Sequence, residues 1–145
     1  MNYENKFCWT TVVIWMALIF FLSHQPGQES SELSAGITDI IGSLFEVVFQ
    51  GKLDASNLSF YIRKSAHFLA YFVLSLLVIH SLRKSGLKGY RGFGLALIIC
   101  VLYAITDEIH QLFIPGRSGD LRDVLIDSAG ATVGIGLYLL LSRNR

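Results

Sequence analysis

Residues 92–120 read GFGLALIICVLYAITDEIHQLFIPGRSGD, and the order of that stretch decides the architecture. Gly92 to Thr106 is a charge-free run of 15 residues. It continues into Asp107, Glu108, His110 and Gln111, and then into Pro115-Gly116-Arg117-Ser118-Gly119, a turn by composition. A helix needs about 20 residues to cross a hydrocarbon core, so the apolar run alone is short. It spans only if the acids and the imidazole sit on the same helix, which places ionisable groups at the membrane boundary.

Three further runs behave alike. Phe7 to Ser23 (17 residues) is bounded by Lys6 and His24-Gln25-Pro26-Gly27, Ser65 to Leu82 (18) by Lys64 and Arg83, and Ser128 to Ser142 (15) by Asp127 and Arg143. With their polar ends included, the expected spans are about 7–25, 61–82, 92–113 and 122–142. The first reads as a retained helix, because Pro26-Gly27-Gln28 is a poor cleavage site for a signal peptidase. Composition agrees with a membrane solvent. Charged residues are 16% and hydrophobic ones 52%, where soluble domains carry about 25% charge. Ten Phe and two Trp exclude disorder, and a net charge of +1 offers no field for nucleic acid. Cys8 and Cys100 lie inside apolar runs and read as small fillers. The expected fold is all-α: a polytopic membrane protein, one domain over residues 1–145, with a bundle of four transmembrane helices.

Lys and Arg set the orientation. The short loop from Arg83 to Arg91 holds four basic residues and no acid. With both termini cytoplasmic, the inner side collects Lys6, Arg83, Lys84, Lys88, Arg91, Arg143 and Arg145. Lys52, Arg63, Lys64, Arg117 and Arg122 face outward. Between the first two spans, Leu33, Ile37, Ile40, Ile41, Leu44, Phe45 and Val48 recur at helical spacing, opposite Ser34, Asp39, Ser43, Glu46 and Gln50. This predicts an amphipathic helix at the outer interface, a lid on the bundle mouth, capped by Ser30 or Ser31. Asn57 is the expected cap of the second span.

The remaining polar residues all fall at the outer helix ends. Ser23, His24 and Gln25 close the first span; Arg63, Lys64 and His67 open the second. Asp107, His110 and Gln111 stand at i, i+3, i+4, and Arg63, His67 and Tyr71 at i, i+4, i+8. Asp120, Asp123 and Asp127 form a third stripe at i, i+3, i+7. A charge at mid-helix costs about 2.5–3.5 kcal/mol on insertion scales, so these groups are paired or placed for a purpose. Gly130, Gly134 and Gly136 read as close helix packing.

The run Arg63-Lys64-x-x-His67-Phe68-x-x-Tyr71 resembles the VanZ-like family, as does Asp107-Glu108-x-His110-Gln111-x-Phe113-x-Pro115-x-Arg117, continuing to Asp123, Asp127 and Gly130. Ser23-His24-Gln25-Pro26 is similar to that family's first motif. Where members often carry an acid before the tyrosine, this chain has Ala70. The resemblance implies a small polytopic protein linked to resistance against teicoplanin-type lipoglycopeptides.

Three readings of the outer cluster stand open. In a structural ion network, Arg63, Arg117 and Arg122 neutralise Asp107, Asp120, Asp123 and Asp127. In an enzyme, His67, Asp107, Glu108 and His110 are the catalytic candidates. A divalent metal is then held among His67, Asp107, Glu108, His110, Asp123 and Asp127, or an imidazole acts while Arg63, Lys64 and Arg117 hold a lipid phosphate or wall-precursor phosphate. In a binding protein, Gln25, Arg63, Lys64, His67, Tyr71, Asp107, Glu108, His110, Gln111, Arg117, Asp123 and Asp127 line a pocket for a lipid-linked wall component or a lipoglycopeptide. The resemblance places the binding reading slightly ahead. Membrane lipids are the expected surroundings in every case.

Overall fold

The computed structural model describes residues 3–49 and 55–142. Each apolar run becomes one helix, since no proline interrupts it and the bilayer leaves backbone groups no partner but their own helix. The order is α1 (Tyr3–Ser23), α2 (Gly27–Phe49), α3 (Ala55–Lys84), α4 (Gly89–Gln111) and α5 (Leu121–Ser142), and the described residues contain no strand. The chain is all-α, as expected. Helices α1, α3, α4 and α5 are long and apolar enough to cross a membrane, which makes this a multi-pass membrane protein.

Helix α3 is the hub. It touches all four other helices, whereas α5 packs on α3 and α4, α1 on the same two, and α2 on α3 alone. The tightest approach is between α3 and α5. A Cβ at Gly130 would overlap the Phe68 carbonyl, and one at Gly134 would overlap the Ser75 hydroxyl. Gly136 meets nothing within 4 Å. On α4 the buried side reads Gly92, Ala96, Cys100, Ala104, every fourth residue small, so its backbone also comes close. Tyr71, Leu74 and Val78 of α3 and Ile135 of α5 fill the centre. Val13, Ile14, Phe21, Leu102, Leu125 and Leu140 are more than half exposed, the outward faces that lipid would cover.

The turn between α3 and α4 uses Gly86 (φ 92°) and Gly89 (φ 65°), left-handed positions that suit glycine. Around it, Trp9 Nε1 donates to Ser85 Oγ (3.2 Å), Arg83 donates to Ser142, and His80 Nδ1 meets the Tyr138 hydroxyl (3.0 Å).

Helix α2 departs from expectation. It begins at Gly27, so Ser30 and Ser31 lie inside it rather than capping it. Its buried side carries Ser34 and Thr38, while Leu33, Ile37 and Ile40 are about half exposed or more. Ser34 Oγ donates to the Ser30 carbonyl (2.9 Å) and Thr38 Oγ1 to the Ser34 carbonyl (2.7 Å). With their hydroxyls satisfied by their own helix, these small residues can be buried, so Ser34 leaves the expected polar face while Asp39 and Ser43 stay exposed on it. Helix α3 begins at Ala55, so Asn57 lies within its first turn. Gln50, Lys52, Arg143 and Arg145 lie outside the described residues.

Gly130→Ala is expected to destabilise the bundle by about 1–3 kcal/mol, the usual cost of overpacking. Gly136→Ala should be neutral or stabilise by about 0.5–1 kcal/mol, the helix preference of alanine. Unfolding of both variants in detergent checks this; equal behaviour would show that α3 and α5 are not in backbone contact.

Candidate functional site

The spans alternate in direction, so the C-terminal ends of α1 and α4 meet the N-terminal ends of α3 and α5. The turn from α4 to α5 is pinned first. Gly27 N donates to the Pro115 carbonyl (3.1 Å), and Gly116 adopts φ 75° against it. Asp120 Oδ1 accepts from Arg122 N (2.9 Å), an N-cap for α5. Glu108 Oε2 accepts from Asp120 N (2.8 Å), which ties the end of α4 to the start of α5.

On α4, Asp107, Glu108 and Gln111 turn inward and are nearly fully buried. Gln111 Nε2 donates to Asp107 Oδ2 (3.2 Å) and Glu108 Oε1 (3.3 Å). Facing them, Lys64 of α3 forms an ion pair with Asp123 of α5. His67 Nδ1 stands 3.4 Å from Asp127 Oδ1. That is ion-pair reach without a hydrogen bond, and neither oxygen of the fully buried Asp127 has a hydrogen-bond partner. His67, Glu108 and Asp127 each bring a donor atom within 4.8 Å of the others. Tyr71 Oη, Asp107 Oδ1, Ser23 Oγ and Arg63 Nε are also buried and unpartnered.

The arginines do not form the expected network with the aspartates. Arg63 Nη2 donates to Ser31 Oγ (2.9 Å) of α2. Arg117 Nε donates to the Gln25 carbonyl (2.9 Å) and Nη2 to the Leu22 carbonyl (3.2 Å), so it caps the C-terminal end of α1. Burial and then the neighbouring Arg63 pull the Arg117 guanidinium below its ordinary pKa, and it stays charged. Among the described residues, the only acids in ion pairs are Asp123, with Lys64, and Asp127, with His67.

His110 leaves the face it was expected to share with Asp107 and Gln111. Positions 107, 108 and 111 point to the core, and 110 turns to α1. Its Nε2 lies 3.0 Å from His24 Nδ1, and its ring centroid 4.5 Å from that of Phe20. His110 therefore stands apart from the carboxylates.

Two cavities meet at this end. One, about 310 Å³, is mostly apolar and bordered by Ile19, Leu33, Ile37, Ile62, Ala66 and Ala70, with Gln25, Tyr71 and Asp107 on its wall. The other, about 320 Å³, is bordered by Lys64, Gln111, Ser118, Asp120 and Asp123. Ser30, Arg63, His67 and Arg117 border both. Ser30 and Ser34 were not foreseen as part of this site, and Ser23 was expected at the polar end of α1 but not on the cavity wall. The first two, four apart on α2, offered a helical signal; the backbone carbonyls that hold Arg117 left none in the sequence.

The profile of the VanZ/LLP1 family matches residues 8–142. Over 85 residues the chain is 32% identical to the uncharacterized membrane protein YwnJ of Bacillus subtilis (strain 168), covering 59% of this chain and 54% of that protein. The match thus spans about half the length of that relative. No solved structure matches.

Arg117→Lys is expected to cost about 1–2 kcal/mol of stability, because an ammonium cannot hold both carbonyls as the guanidinium does. Arg122→Lys, at an exposed position, should cost nothing measurable. Unfolding of the two variants in detergent tells them apart, and equal stability would contradict the cap.

Proposed function

The chain belongs to the VanZ/LLP1 family, and from that premise we propose that it is a cell-envelope protein binding a lipid-linked wall component or a lipoglycopeptide at the polar end of its bundle. Through that binding it contributes to resistance against teicoplanin-type glycopeptides. The polar end faces outward and both termini are cytoplasmic, with the basic Arg83–Arg91 loop inside.

One observation carries this reading. A polar cavity and an apolar one abut, and Arg63, His67 and Arg117 border both. A ligand with an anionic head and an apolar body matches that division. The head sits against Arg63 and Lys64, which border the polar cavity. The body lies along Leu33, Ile37 and Ile62, where the exposed stripe of α2 leaves the chamber open to lipid. Arg117 holds the wall in place through α1, which makes Arg63 the receptor. A second reading, an enzyme acting on a lipid phosphate or wall precursor, draws on the His67, Glu108 and Asp127 group.

Arg63→Lys keeps the charge and loses the planar fork, so protection is expected to fall about tenfold or more while protein levels hold. Survival of a sensitive host against a teicoplanin-type lipoglycopeptide, normalised to protein in the membrane, measures it. Full protection would return Arg63 to a structural role.

Orientation is tested separately. A single cysteine at the exposed Ser118 should react with an impermeant reagent on intact cells, and one at the exposed Ser85 should not. Labelling at Ser85 alone would turn the site to the cytoplasm.

A further inference from the structure

We infer that His67, Glu108 and Asp127 bind one divalent first-row cation, Mn²⁺ or Zn²⁺, inside the bundle. Three helices supply one donor each, and all three donors lie within 4.8 Å of one another. One imidazole nitrogen and two carboxylate oxygens form a donor set suited to these metals.

The separation of His67 Nδ1 from Asp127 Oδ1, 3.4 Å, is unfavourable as a hydrogen bond. It is natural for two ligands of one cation, since bonds of about 2.0–2.2 Å at tetrahedral or octahedral angles put ligand atoms about 3–3.5 Å apart. The register that creates it is fixed locally, because Gly130, one turn beyond Asp127, sits under the carbonyl of Phe68, the residue after His67.

Charge and hydrogen bonding point the same way. Among the described residues, the fully buried Asp127 has His67 as its only ion-pair partner and neither oxygen hydrogen-bonded, and a buried carboxylate so sparsely partnered is strongly unfavourable. No lysine or arginine among the described residues pairs with Asp127: Lys64 pairs with Asp123, while Arg117 bonds to the end of α1 and Arg63 to Ser31. Tyr71 Oη, on a side chain 1% exposed, is also unpartnered and lies in the field of Asp107, Asp127 and Glu108. A phenolic donor and the free Asp107 oxygen are the partners that a metal-bound water requires. Around the ligands, Gln111 and the Asp120 amide hold Glu108 in place, the outer support metal ligands commonly have. His67 borders both cavities, so the cation adds positive charge beside Arg63. The site stands whether or not a lipid is the ligand.

The test is metal binding by purified protein in detergent after chelator treatment. Mn²⁺ is followed by electron paramagnetic resonance and Zn²⁺ by calorimetry. One ion per chain is expected, with affinity reduced about tenfold or more in Glu108→Gln and in Asp127→Asn. The pair His24→Ala and His110→Ala, outside the cluster, should bind as the wild type does. If Asp127→Asn fails to fold, the wild-type stoichiometry and Glu108→Gln decide. Absence of stoichiometric binding by the wild type overturns the site, as does binding that survives Glu108→Gln or is lost with His24 and His110.

Discussion

Everything at the polar end depends on how closely α3 and α5 approach. Gly130 and Gly134 let α5 lie against the backbone of α3 at Phe68 and Phe72. In lipid no hydrophobic drive separates or joins helices, so such close van der Waals contact is a main source of association. It also fixes register. One turn from Gly130, Asp127 comes opposite His67, and one turn further Asp123 comes opposite Lys64. Helix α4 then completes the enclosure, because its small residues every fourth position end in Glu108.

The two ends of the bundle are built differently. At the basic loop, polar contacts are of ordinary kinds: Trp9 to Ser85, Arg83 to Ser142, His80 to Tyr138. At the other end, buried carboxylate oxygens, a phenol and a guanidinium nitrogen are left without hydrogen-bond partners. Interhelical polar contacts in membranes average only about 0.6 kcal/mol, too little to explain that many buried ionisable groups as glue. Buried groups left unsatisfied mark a place where stability was given up for something else. The two arginines divide the work. Arg117 spends its fork on the carbonyls of α1, and Arg63, bonded through Nη2 to Ser31, stands at the border of both cavities.

The helices were legible because the bilayer allows few alternatives: charge-free runs of the right length must be helices. The glycine contacts on α5 were legible from spacing, although Gly136 shares the pattern and meets nothing. The polar residues that gather at one end could be listed, but not their pairing. His110 and Gln111 are neighbours in sequence, yet a rotation of one position sends His110 to His24 and leaves Gln111 on the carboxylates. Arg117 looked like a partner for the aspartates and instead binds backbone carbonyls, groups that every residue carries and no sequence distinguishes. Helix α2 misled for a third reason. Its Ser34 and Thr38 hydroxyls bond to its own carbonyls, so residues that look polar can be buried while Asp39 and Ser43 stay exposed.

The central claim is that the polar end holds a ligand with an anionic head and an apolar body. Native mass spectrometry of the protein released from bacterial membranes tests it most directly. Wild-type protein should retain one phosphate-bearing lipid species per chain, and Arg63→Ala should lose it at equal expression. The same lipids in the same proportions on both proteins would contradict the claim.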